Sequence, residues 1–356
     1  MNKPLVPEDI KKARPAIYLF RAAACHLRAH AEKTTPAAIT RQMFKGDVVT
    51  DLVIRAASSP ASLTGAGWAD ALAALSIEDL VMQIASVSAA AALVQRGLKL
   101  SFDHFASIRV PGRLLDATDA GQWVVEGAPS PMRSQRMTAG PTLLPRKLLV
   151  NTSFTSEMAR QSNIEAYSRA LLTESCALAL DKAMFSTTAA NGQPAGILNG
   201  LTALTPTAGG GSNALMADMK SLMDSLVTNY AGKAPVLIMS PTQALSLRTV
   251  ASPLFNLPIL ESSALAATKT VIMVEPSSFA SAFDPAPEFA VTDVPLFHYE
   301  DTSPTQITGG TPSPAVPVRS PFQTDSIVLQ LRLKAAWGMR APTSAPHVAY
   351  VSSVTW

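Results

Sequence analysis

From Leu98 to Phe154 the chain reads as extended segments and turns with too few large apolar residues to bury themselves, and this stretch restricts the fold more than any other. Its runs are LKLSFDHFASIRVPG, RLLDATDAGQ, WVVEGAPSPM and LLPRKLLVNTSFT, with turn signals at Pro111-Gly112, Ala120-Gly121 and Ala139-Gly140-Pro141. The pattern predicts a long projecting hairpin. Such a hairpin is marginal in water by itself, so it needs another surface to lie on.

Beyond Phe154 the grammar changes. Thr155 is placed to cap a helix with Glu157 in its first turn, and Ile164, Tyr167, Leu171, Leu178 and Phe185 recur at helical spacing. These predict one apolar stripe on a helix of about thirty residues, roughly 45 Å long, a structural spine. The helix ends in a loop of small residues holding Gly192, Pro194, Gly196 and Gly200, then the flexible TAGGGSN. An α/β pattern begins there: helix 214–230, buried strand 235–239, helix 242–250, strand 270–274. Residues 303–321 carry five prolines and form a connector, neither a central strand nor a helix. Ile327, Leu329, Leu331 and Leu333 then alternate with more polar neighbours, HVAYVSSV makes another strand, and the two are expected to pair in a sheet. At the other end, residues 9–33 predict an amphipathic helix with Ile17, Phe20, Ala24 and Leu27 on one side and Arg14, Arg21 and Arg28 on another. The stretch SSPASLTGAG ends this arm, and 68–94 reads as mostly helical. The fold class is α+β.

With 47% hydrophobic residues in 356, the chain can bury a sizeable core. Only 15% of residues are charged, a bland surface that suits a subunit covered in part by other subunits. A formal charge of +3 is too small to argue for nucleic-acid binding across the whole molecule. Residues 1–60, however, hold ten Lys/Arg against five acids, so the arm is basic, and Lys11, Lys12, Arg14, Arg21 and Arg28 are its candidate contacts to DNA or a neighbour. The two cysteines, Cys25 and Cys176, give no disulfide framework and fit a reducing cytoplasm. Arg21 breaks the N-terminal apolar segment, so no signal peptide is expected, and the apolar run 80–94 is too short and polar for a membrane span.

No motif for chemistry is complete. The nearest phosphate-loop candidate, VTNYAGKA, has Val227 where the first glycine belongs and Ala234 where the hydroxyl belongs. The glycines at 192, 196 and 200 follow a helix instead of opening one, so they present no helix N-terminus to an anion. No GxSxG elbow is present, although a Ser/His/Asp site can still assemble in space. CHLRAH (Cys25, His26, His30) offers two or three ligands without a fourth, and a core cysteine beside two partly exposed histidines is the favoured reading. No catalytic, cofactor or metal residue is expected. Asp181 and Lys182 read as ion-pairing residues on the spine helix.

The order of these parts, with WVVEGAPSPM, then LLPRKLLVNTSFTSEM, ALDKAMFSTTAANGQPAGILNG, LIMSPTQALSLRTV and QTDSIVLQLRLKAAWGMRAPTSAPHVAYV, resembles tailed-bacteriophage major capsid proteins of the Hong Kong 97 fold over about residues 65–356. The resemblance implies an N-terminal arm (1–64), a helical lead-in (65–97) and an E-loop hairpin with flanking strands (98–154). A peripheral domain comes next with the spine helix and Gly-rich loop (155–213), then an axial domain (214–300), and a Pro-rich connector with returning peripheral strands (301–356). It implies E-loop contacts to a neighbouring subunit through Trp123, Val125, Glu126, Pro129, Pro131, Arg133 and Arg136, and an inter-domain joint at Gly192, Pro194 and Gly196. Copies would form hexamers and pentamers of an icosahedral shell around double-stranded DNA, assembled in the host bacterial cytoplasm with portal, scaffolding and cement or decoration proteins, and with no membrane. No lysine occurs from Leu100 to Arg146, so the covalent cross-linking of some members is not expected. The long scaffolding extension that some members carry is absent, so scaffolding is expected from a separate protein. Two other readings stand beside this one: an encapsulin-type compartment, and a serine hydrolase whose triad assembles in space.

Overall fold

The computed structural model describes residues 15–45, 47, 50–51, 54, 88–102, 105–113, 123–127, 129, 137–138, 140–160, 164–229, 231–250, 256–284, 288–293 and 324–356. Most of the expected helical segment 68–94 and the whole proline-rich connector lie outside them. In chain order the elements are α1 (Pro15–Ala31), α2 (Pro36–Met43), α3 (Ala89–Arg96), β1 (Leu98–Ser101), β2 (Ile108–Arg109), β3 (Gly112–Arg113), β4 (Met137–Thr138), β5 (Thr142–Leu143) and β6 (Arg146–Thr155). They continue with α4 (Ser156–Arg160), α5 (Ile164–Met184), α6 (Gly211–Thr228), β7 (Val236–Met239), α7 (Pro241–Val250), β8 (Ile259–Glu261), β9 (Val271–Val274), β10 (Phe279–Phe283), β11 (Glu288–Thr292), β12 (Ser326–Met339) and β13 (Val348–Val351). Two compact units divide the chain: 1–80, 149–175 and 285–333 form one, and 81–148, 176–284 and 334–356 the other.

In the first unit α1, whose first described residue is Pro15, ends with Arg28 and His30 in its last turn, where cations suit the helix dipole. Ala22, Cys25 and Ala29 recur at three and four, so a row of small side chains faces Ile39 of α2 and Ile54 in one cluster. Lys33, at φ +52, turns the chain between the helices, and the Thr34 N–H donates to the Ala29 carbonyl at 2.8 Å. The strand β11 pairs antiparallel with β12, from Glu288 opposite Arg332 to Thr292 opposite Val328. Ser156, at the start of α4, is held by Asp325: its hydroxyl donates to the carboxylate at 2.7 Å and its N–H to the Asp325 carbonyl at 2.9 Å.

The second unit holds a four-stranded sheet, β13-β9-β7-β8, with β7 and β8 parallel and the other pairs antiparallel. Leu215, Met219, Leu222 and Leu226 of α6 recur at four, three and four, and pack with Leu237, Met239, Val271 and Met273 of the strands. Three consecutive glycines, Gly209, Gly210 and Gly211, lead into α6 with φ of +98, +65 and +71. That left-handed path is open to glycine and strained for other residues, which is why the sequence repeats it three times. In the same unit β1 runs parallel to β10, and β10 antiparallel to the end of β12.

Two expectations are corrected. Along the spine, described as α4 and α5 with residues 161–163 outside the described residues, the buried ridge is not the expected one: α5 buries Ile164, Ser168, Leu172, Cys176, Leu180 and Met184, at strict spacing of four. Of the expected stripe, Ile164 and Phe185 are buried, the latter just beyond the helix, and Leu171 is half-buried. Tyr167 and Leu178 are 51% and 43% exposed. Both ridges are largely apolar, so spacing alone could not choose between them. The two closing strands also do not pair with each other: β12 pairs with β10 and β11, and β13 with β9. All four residues of β13 are buried, which calls for a sheet covered on both faces, and alternation cannot name the partner.

Candidate functional site

The hairpin has a packed root, and its residues 123–127 and 129 stand in solvent. At the root Ile108 lies opposite Leu143, and Phe102, Val110 and Leu143 pack on Ala280, Ala282 and Ala336. Farther out Gly112 pairs with Thr138 and Arg113 with Met137. Between these ladders the Val110 N–H donates to the Pro141 carbonyl at 3.1 Å, and a Cβ on Gly140 would sit 2.0 Å from the Val110 carbonyl oxygen. Pro111-Gly112 and Gly140-Pro141, expected as chain reversals, therefore face each other across the stem. The glycine serves close backbone approach, a use whose sequence signal is the same as a turn's. The third signal, Ala120-Gly121, lies outside the described residues.

At the tip Trp123 is fully exposed, Val125 is 80% exposed and Val124 42%, with Glu126 and Pro129 also in solvent. Three consecutive apolar side chains left in water mark a contact surface. Pro131, Arg133 and Arg136 lie outside the described residues.

The small-residue loop after α5 folds back on the helix end. The Ile197 N–H donates to the Met184 carbonyl at 2.9 Å and the Gly196 N–H to the Thr188 carbonyl at 3.1 Å, so these two donors are not offered to an anion. Gly192 and Gly200 take φ of +74 and +78. At Gly196 a Cβ would lie 1.9 Å from the Ser186 carbonyl oxygen, so the close approach is to its own chain. Pro194 lines a cleft of about 270 Å³ beside the hairpin root, together with Pro141, Leu144, Arg146, Ile197 and Trp337, whose indole N–H donates to the Ala195 carbonyl at 2.9 Å. Sequence reasoning did not find this cleft, because its walls come from three distant segments.

Asp181 is no ion-pairing residue. It is 4% exposed, and its carboxylate accepts from the Ser88 hydroxyl (2.5 Å), the Ala90 N–H (3.0 Å) and the Ser262 hydroxyl. The Ser88 hydroxyl in turn accepts from the Ala91 N–H at 3.1 Å, so serine and aspartate together cap α3, an anion at a positive helix end. Lys182 is exposed.

On the arm, Arg21 pairs with Asp47 at 2.8 Å and lies over the rings of Tyr18 and Phe44, while Arg28 pairs with Glu32 at 2.7 Å. Lys11, Lys12 and Arg14 lie outside the described residues. The Cys25 thiol accepts from the Thr40 hydroxyl at 3.5 Å inside the helical cluster, whereas His30 Nε2 faces Asp293 at 3.5 Å. Burial lowers the pKa of His26 and pushes that of Cys176 up to about 12. Among the described residues no group of three or more His, Cys, Asp or Glu could hold a metal ion, and no helix is long and apolar enough to cross a membrane.

One Ser–His pair does meet. The Ser278 hydroxyl lies 2.5 Å from His347 Nδ1, and His347 Nε2 lies 3.1 Å from the Asn229 carbonyl. A main-chain carbonyl, which only accepts, fixes the proton on Nε2 and leaves Nδ1 to accept from the serine. Nearby Glu275 accepts instead from the N–H groups of Gly232 and Ala234, both at 3.1 Å. The triad order of nucleophile, base and orienting carboxylate is therefore not assembled; the three groups tie loops together.

A family model described as "Phage capsid family" matches residues 105–302. Among curated proteins nothing matches. Among solved structures the chain is similar to one from Microbacterium phage Oxtober96, at 10% identity with a TM-score of 0.52 over 73% of this chain and 90% of that one. It is similar also to one from Mycobacterium phage Adephagia (11%, 0.51, 75% and 89%) and one from Mycobacterium phage Bobi (14%, 0.51, 74% and 90%). At such identities the likeness is one of fold, the α+β architecture described above.

Proposed function

This chain belongs to the phage capsid family, a structural protein of the virion shell, and from that premise we propose that its copies assemble as hexamers and pentamers of an icosahedral capsid enclosing phage double-stranded DNA. The observation that carries the reading is the hairpin, whose root is packed while Trp123, Val124 and Val125 stand in water. That arrangement is unfavourable for an isolated chain and favourable where a neighbour covers the tip. Many such modest contacts on a closed shell stabilise it collectively while each remains reversible during assembly.

In this reading the fold is of the Hong Kong 97 type, with 98–154 as the E-loop, 155–213 in the peripheral domain and 214–300 in the axial domain, to which β13 adds a strand. Residues 1–64 are the arm, 65–97 its helical lead-in, and 301–356 the connector and returning strands. Of the arm's cations Lys11, Lys12 and Arg14 serve contacts to DNA or a neighbour, since Arg21 and Arg28 pair within the chain. Portal, scaffolding and cement proteins are separate partners, and the chain catalyses no reaction.

Negative-stain microscopy of the expressed protein tests this: shells or capsomers with five- and sixfold outlines are expected, and a denaturing gel of the particles shows a single band. A monodisperse monomer under all assembly conditions overturns the reading, and a ladder of covalent multimers overturns the absence of cross-links.

A further inference from the structure

We propose that the cleft beside the hairpin root receives the hairpin tip of a second copy of this chain, with Trp123, Val124 and Val125 of one copy filling it and Glu126 pairing with Arg146 at its edge. The inference rests on the assembly reading above and adds the receiving residues to it.

The two surfaces complement each other in size and polarity. The cleft holds about 270 Å³, just below the range of about 300–1,000 Å³ of small-molecule pockets. Its walls include Pro141, Leu144, Pro194, Ile197 and Trp337, and Leu144 is 48% exposed there. A space of that size and apolarity suits one aromatic and one or two aliphatic side chains better than a charged metabolite. The indole N–H of a buried tryptophan needs an acceptor, and Asn199 in the lining offers a side-chain carbonyl.

Charge agrees with shape. Arg146 is the cationic residue of the lining, and Glu126 comes directly after the apolar triplet in the sequence. The chain does not fill its own cleft, because its Trp123 is fully exposed. Pro141 and Leu144 flank the strand that forms the hairpin root, so the receptor lies at the opposite end of the stem from the tip.

Donor and receptor are different patches of one chain, so the contact is head-to-tail: every copy inserts a tip and receives one. Such a heterologous contact closes into a ring when the rotation per copy permits. Ring formation then needs no further type of contact at the tip.

A cysteine pair tests the geometry. Val125→Cys together with Leu144→Cys, in particles oxidised under mild conditions, is expected to give reducible multimers up to the ring size on a non-reducing gel; either substitution alone gives monomers. The native Cys25 and Cys176 are buried and can remain. A charge exchange provides a second readout: Glu126→Arg and Arg146→Glu should each lower the assembled fraction about tenfold, and the double exchange should restore it. Particles that form normally without the cross-link, or a double exchange that restores nothing, overturn the proposal while leaving the assembly reading intact. A wild-type chain that forms no particle overturns both.

Discussion

The four-stranded α/β layer and the hairpin lie in one unit, yet they satisfy their apolar residues in opposite ways. Every residue of β7, β9 and β13 is buried, and α6 adds Leu222 and Leu226 with no exposed surface. The described ladders of the hairpin pair two residues each, and three consecutive apolar side chains farther out stand in water. The first region stabilises the chain; the second stabilises contacts between chains. A substitution in one should therefore unfold the protein, and in the other prevent assembly of a folded one.

The largest expected effect lies in the layer. Leu222→Ala should lower stability by about 2–5 kcal/mol through lost burial and a cavity, seen as a clear fall in melting temperature. Trp123→Ala should leave the unassembled chain within about 0.5 kcal/mol of wild type, because a fully exposed side chain loses little, and yet abolish particles. If Trp123→Ala lowers the melt as much as Leu222→Ala, the contrast between the regions fails.

Two glycines sharpen the boundary. Gly196→Ala and Gly140→Ala should each cost about 1–3 kcal/mol, because the added Cβ would lie 1.9 Å or 2.0 Å from a main-chain carbonyl oxygen and the backbone must move. The inter-domain joint that the resemblance implies at Gly196 would have bulk there block assembly but leave a soluble monomer. The close contact with Ser186 relocates the damage to the folded chain itself. Urea melts of the two variants decide this, and wild-type midpoints would restore the assembly-only view.

Asp181→Ala should cost about 1–3 kcal/mol by leaving buried donors without their acceptor. Faster hydrogen exchange at the Ala90 amide would accompany it, whereas unchanged exchange would mean that Ser88 caps α3 unaided.

The smallest effect is that of pH on stability. Burial lowers the pKa of His347 below its ordinary value of 6.5, against opposing effects of the Asn229 carbonyl and Glu275, and burial lowers His26 likewise. The unfolded chain then binds more protons than the folded one below about pH 6.5, so stability declines as pH falls through that value toward the depressed folded values. Urea midpoints at pH 7.5 and 5.5 measure the loss, and His347→Gln should reduce it. A stability that rises on acidification contradicts the assignment.

The sequence determined the local grammar. Short apolar runs and period-3.6 patterns placed β7, β9, α6 and α7 to within a few residues, and five degenerate motifs in order, from WVVEGAPSPM onward, pointed to the capsid family that the match over 105–302 supports. These features were legible because they depend on neighbours in the chain. Tertiary structure decided everything that depends on distant partners. It chose which of two apolar ridges α5 buries, paired β13 with β9, made Asp181 a cap for a helix some ninety residues earlier, and closed a cleft from three separate segments. Gly140 and Gly196 show the physical reason most directly: a sequence shows that a side chain is missing, but only the fold shows what lies where it would have been.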